Sequence, residues 1–121
     1  MSHRRRIAVL ITRAAYGSNL SKGALEATLA ASIFDQDLSV VFTEDGVYQL
    51  LVGEAAETLG LANYRVQLAD LPDYGIDKIY IDSESASQRG ISPQDVLSVA
   101  DWISHTQISE IFNRSDHILS F

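Results

Sequence analysis

At 121 residues the chain has the length of one domain, enough to bury roughly two-thirds of its unfolded surface on folding. Hydrophobic residues make up 46% and charged residues 21% of it, a globular balance that excludes disordered and fibrous classes. A formal net charge of −7 disfavours nucleic-acid and anionic-membrane partners, whose binding draws on clustered Lys and Arg. The absence of any cysteine removes disulfides, thiolate metal sites and every cysteine-based mechanism carried by this chain.

The one basic cluster, His3-Arg4-Arg5-Arg6, is expected to be a flexible tail over residues 1–5 that enters a first strand at Arg6. The apolar run behind it is shorter than the roughly 7 to 15 residues of a signal peptide core, and no stretch approaches the roughly 20 needed to span a bilayer. The cytoplasm is therefore the expected compartment. Residues 6–12 form a continuous apolar, β-branched run that suits a strand buried on both faces. A turn follows over residues 13–19, then a helix over residues 21–34, where Leu25, Leu29 and Ile33 share one face.

Residues 38–43 are a second strand with a sharp exit at Glu44-Asp45-Gly46. Short helices are expected over residues 47–51 and 55–59, each stopped by a glycine, and a further one ending near Pro72 or Tyr74. Residues 78–81 are the third strand, opening at Asp82 into a polar loop that closes on Arg89-Gly90. Ser92-Pro93-Gln94-Asp95 carries a helix start signal. A last helix begins near His105 or Thr106, and residues 118–121 form a final strand. Strands alternating with helical patterns predict a single three-layer α/β domain over residues 1–121, a flavodoxin-like, mostly parallel sheet with helices on both faces.

Ligands of such sheets bind beyond the carboxyl ends of the strands, which draws attention to three loops. The loop at Tyr16-Gly17-Ser18-Asn19 could cradle a phosphate ahead of a helix. It has neither a P-loop nor a dinucleotide fingerprint, so an ordinary turn is the better reading. Glu44-Asp45 invites comparison with the acidic pair of receiver domains, but the first strand ends in Thr12-Arg13 where such a domain needs acids. Two carboxylates are also too few for a divalent cation. His3, His105 and His117 are accompanied by no G-x-S-x-G elbow. Asp82 and Glu84 could do acid–base work, although neighbouring loop carboxylates are mostly solvated. Trp102, Tyr48 and Tyr80 read as core or subunit contacts. Composition and spacing stop at a soluble α/β domain with no self-sufficient active site, and neither a cofactor nor a metal is expected.

Three stretches go further: F-D-Q-D-L-S-V-V-F-T-E-D-G-V-Y-Q-L (residues 34–50), Y-G-I-D-K-I-Y-I-D-S-E-S-A-S-Q-R-G-I (residues 74–91) and S-D-H-I-L-S-F (residues 115–121). With the opening I-A-V-L-I-T-R-A-A-Y-G they resemble the TusC/DsrF branch of the DsrE/DsrF/TusBCD family of sulfur-relay proteins. The D-G-V-[YF]-Q-L motif is the most specific element. The resemblance implies a flavodoxin-like fold and a heterohexamer containing two copies each of three homologous small subunits. It also implies a catalytic sibling whose cysteine, at the end of the strand before the Arg-Gly turn, carries a persulfide. Counted back from Gly90, the matching position here is Asp82, and a carboxylate cannot hold sulfane sulfur.

The resemblance thus implies a subunit without a catalytic residue of its own, which supports a cysteine-bearing partner and meets sulfur carriers only indirectly. The destination of the sulfur would be 2-thiouridine at the tRNA wobble position or, alternatively, dissimilatory sulfur oxidation. Candidate interface residues are the apolar patch of Tyr48, Leu50 and Leu51, together with Asp82, Glu84 and Arg89. The alternative of another class is a stand-alone flavodoxin-like module that binds a nucleotide or anion at the Tyr16–Asn19 turn.

Overall fold

The computed structural model describes residues 5–13, 37–52 and 71–121. They build a five-stranded, wholly parallel sheet from β1 (Arg6–Ile11), β2 (Asp37–Phe42), β3 (Ile79–Asp82), β4 (Asp101–Ile103) and β5 (His117–Ser120), in the order β4-β3-β2-β1-β5. Among the described residues two α-helices accompany it, α1 (Ser83–Gln88) and α2 (His105–Arg114), and a 3-10 helix, Glu44–Leu50, follows β2.

Strands β1 to β4 step across the sheet in one direction, and β5 returns to the far side of β1. A right-handed crossover from β4 to β5 must then lay α2 on the face opposite to the connections that follow β2 and β3. The packing agrees. On one face Val9, Ile11, Val40, Phe42, Ile79 and Ile81 meet Val47, Leu50, Ala86 and Ile91. On the other, Val41, Leu10, Tyr80 and Ile103 meet Ile108, Ile111 and Phe112 of α2. Residues adjacent in sequence serve opposite faces, which is why the central strands read as unbroken apolar runs. Full burial of each large side chain, such as Phe42 or Ile81, contributes about 1.5 to 3 kcal/mol.

The D-G-V-Y-Q-L motif has a packing role. A Cβ on Gly46 would stand 2.0 Å from the Ile11 carbonyl oxygen, so only glycine lets this turn lie against the end of β1. Val47 and Leu50 fill the core below it, and the Gln49 amide donates to the Arg13 carbonyl at 2.7 Å. A reciprocal capping box starts α2: the Ser104 hydroxyl accepts from the Gln107 amide, and the Gln107 side chain accepts from the Ser104 amide.

Several expectations shift. The three residues of β4 replace part of the helix expected after Ser92, where only a 3-10 turn, Pro93–Asp95, forms. Asp95 accepts from the Ser92 amide, but the chain then pairs Leu51 with Val96 and enters the sheet. The polar loop expected after Asp82 is the helix α1. Arg5, assigned to the tail, is anchored: its carbonyl accepts from the Asp37 amide and its guanidinium lies 3.2 Å from His117 Nε2. The rest of the tail, the 13–19 turn beyond Arg13, the helix at 21–34 and the helix at 55–59 lie outside the described residues, as does all but the end of the one expected near Pro72.

Candidate functional site

The carboxyl ends of β2, β3 and β4 converge on Asp82. As the N-cap of α1, Asp82 accepts through Oδ1 from the backbone amides of Glu84 (3.1 Å) and Ser85 (3.3 Å), which satisfies donors that a helix start leaves open. Its Oδ2 receives the hydroxyls of Ser85 at 2.6 Å and Thr43 at 2.7 Å, and faces His105 Nε2 at 3.0 Å. The carboxylate is only 1% exposed. Burial pushes its pKa up, but the Ser85 and Thr43 hydroxyls, the Ser85 amide and the nearby His105 together outweigh burial and hold it below the usual carboxylate range.

Helix α1 closes with a Schellman arrangement. Ile91 N donates to the Ala86 carbonyl and Gly90 N to that of Ser87, with Gly90 in the left-handed region at φ +70°. Arg89 ties this helix to the loop after β2: Nε donates to Asp45 Oδ1 at 3.1 Å, one terminal nitrogen lies 3.7 Å from Glu44 Oε2 and the other donates to the Ser85 carbonyl. The Glu44 amide donates to Ser85 Oγ at 3.0 Å, although Glu44 itself sits at φ +51°, a strained conformation for a residue with a side chain. Arg89 and Ser85 therefore fix the β2 loop and α1 to one another.

The polar groups around Asp82 are engaged with one another. Ser85 is buried and its hydroxyl proton is committed to Asp82, so it is not an available nucleophile. His105 points Nε2 at Asp82 and Nδ1 at Glu84 Oε2, the latter at 2.9 Å. Both ring nitrogens thus face carboxylate oxygens. Among the described residues no group of three or more His, Asp or Glu is arranged to hold a metal ion.

Of the residues singled out from the sequence, Asp82, Glu84 and Arg89 come together at this edge. Leu50 and Leu51 do not join them on a surface: both are core residues, 0% and 7% exposed. Asp82 is likewise closed off, so only Tyr48, half-buried, and the partly or fully exposed Arg89 and Glu84 remain accessible. Sequence reasoning missed Thr43, Ser85 and His105 as partners of Asp82. Ser85 stands three residues after Asp82, within reach of an N-cap, whereas Thr43 and His105 are signalled only as polar residues beyond the carboxyl ends of neighbouring strands, which becomes legible once the strand order is known.

The DsrE/DsrF-like family matches residues 5–121, and the chain belongs to that family. It is similar to the intracellular sulfur oxidation protein DsrF of Allochromatium vinosum, with 33% identity over 90% of each chain. It is also similar to a protein TusC homolog of Vibrio parahaemolyticus, with 34% identity over 93% of this chain and 95% of that one. The crystal structure of the ychN protein from E. coli superposes with a TM-score of 0.77 at 17% identity over 97% of this chain and 99% of that one, a likeness of fold. Among the described residues no helix is long and apolar enough to cross a membrane.

Proposed function

We propose that this chain is an accessory subunit of a sulfur-relay complex, a heterohexamer with two copies each of this chain and two homologous small subunits, one bearing the cysteine that carries the persulfide. The observation that carries the reading is the state of Asp82. At the position that by resemblance belongs to the persulfide cysteine stands a carboxylate sealed from solvent by five hydrogen-bond partners. A sulfur acceptor must present an exposed thiolate to its donor, whereas here the same strand end is used as a cap that stiffens the site's edge.

The subunit's work is then to complete the ring and hold the cysteine-bearing partner in register, with Tyr48, Glu84 and Arg89 available for contact. The sulfur is destined for 2-thiouridine at the tRNA wobble position. The likeness to the A. vinosum sulfur oxidation protein supports a second reading, the same subunit role in dissimilatory sulfur oxidation. Sulfite-reductase genes beside this one would favour oxidation.

Native mass spectrometry of the chain co-expressed with two homologous small neighbours tests the reading. The expected result is a mass of two copies of each subunit, with persulfide increments confined to a cysteine-bearing partner. A chain that stays apart from both homologues would overturn it.

A further inference from the structure

At the opposite ends of the strands, on the face packed by α2, lies a cavity of about 250 Å³ lined by Arg6, Asp37, Ser39, Lys78, Tyr80 and the end of α2 at Arg114. Its charge runs against that of the molecule. In a chain of net charge −7, three cationic side chains share one cavity with a single carboxylate. Asp37 is consumed by Lys78 at 2.6 Å, and the guanidinium groups of Arg6 and Arg114 have no carboxylate partner among the described residues. The nearby carboxylate of Asp116 accepts from the Arg6 backbone amide at 2.8 Å.

The floor is polar where a buried sheet face is normally apolar. Arg6 and Asp37 are paired in register, and Ser39 pairs with Ala8 two residues further along, on the same face. The last turn of α2 would ordinarily present carbonyl oxygens that repel an anion. Here the Glu110 carbonyl accepts from Arg114 Nε, that of Ile111 from the Ser115 hydroxyl and that of Phe112 from the Ser115 amide. What faces the cavity is thus rich in donors, with forked guanidinium groups suited to oxyanions.

We propose that this cavity binds a tetrahedral oxyanion of the sulfate or phosphate class, held by Arg6 and Arg114 with the hydroxyls of Ser39 and Tyr80 as further donors. The volume exceeds that of a bare oxyanion, so an ester of modest size is also accommodated. The site is independent of Asp82 and of the accessory role, since it occupies the other edge of the sheet.

The test is an amide-resolved NMR titration of the full chain with sodium phosphate, sodium sulfate and phenyl phosphate, against sodium chloride at equal ionic strength. Saturable shifts centred on Arg6, Ser39, Lys78 and Arg114 are expected with the oxyanions and not with chloride. In Arg6→Gln and in Arg114→Gln the half-saturating concentration should rise at least about fivefold, because each charge-assisted bond is among the stronger ones. Both side chains are exposed, so the variants keep the fold, and either variant alone decides. Tighter binding of phenyl phosphate than of the inorganic ions would assign the site to an organic ester, and the reverse to a free oxyanion. Shifts that do not saturate, or that persist unchanged in either variant, would overturn the proposal.

Discussion

Thr43 and Asp82, 39 residues apart in the chain, are joined by a 2.7 Å hydrogen bond that couples the end of β2 to the start of α1. The bond makes Asp82 a tertiary cap as well as a helical one, because the oxygen that Thr43 reaches is also the one used by Ser85 and His105. Replacing Asp82 by Asn leaves the size unchanged but turns one acceptor into a donor facing other donors. The expected loss of stability is about 3 kcal/mol, as for other buried charged networks broken on one side, measurable by urea unfolding. In an assembled complex the same variant should transfer sulfur at nearly the natural rate. A large rate loss with the hexamer intact would assign Asp82 a chemical role.

The network also sets an acid limit. Asp82 titrates below its ordinary value of 3.8 in the folded chain, so protonation is harder there than in the unfolded chain. Its stabilisation is therefore complete above that value and is lost as the pH falls through the folded pKa. The difference in unfolding free energy between the natural chain and Asp82→Asn should be flat above about pH 5 and shrink below about pH 4. Urea unfolding at a series of pH values measures it. A difference that stays constant down to pH 3 would mean that the carboxylate contributes nothing through its charge.

How much of this was legible in the sequence depends on what each element is buried against. Strands β1, β2 and β3 announce themselves because both faces are covered, so their apolar runs are continuous. β4 is three residues long with Asp101 exposed, too short and too mixed to stand out beside the Ser92-Pro93 signal. Helix α1 is Ser-Glu-Ser-Ala-Ser-Gln, with no apolar period, and it exists because Asp82 and the Arg89-Gly90 end cap it on both sides. The position of Asp82 could be read from the sequence by resemblance. Its partners could not, because Thr43 and His105 reach it only through the order of strands in the sheet.

Gly46 offers a test of the motif's packing role. Its amide donates to the Thr43 carbonyl and its α-carbon abuts the end of β1, where the Ile11 carbonyl leaves no space for a methyl group. Its φ is not positive, so the demand for glycine is steric rather than conformational. Gly46→Ala should destabilise the chain by about 3 kcal/mol, the upper end for overpacking, since the obstruction is backbone that cannot rotate away. Calorimetric melting measures the loss, and a variant that melts within a degree of the natural chain would show that the loop has another way to sit.

Tyr48 is the remaining accessible member of the apolar patch expected at the subunit contact. Its neighbours Leu50 and Leu51 point into the core, while the ring itself packs partly against that core and keeps some surface open. Large aromatic side chains that straddle core and surface are enriched where subunits meet. Tyr48→Glu should therefore lower the hexamer fraction seen by native mass spectrometry, with an apparent affinity at least about tenfold weaker, equivalent to about 1.4 kcal/mol. Circular dichroism melting of the isolated variant separates this from misfolding, because a charge at a half-buried position also costs some stability. A folded Tyr48→Glu chain that still yields the full hexamer mass would exclude Tyr48 from the interface and leave Glu84 and Arg89, beside Asp82, as the accessible contacts to test next.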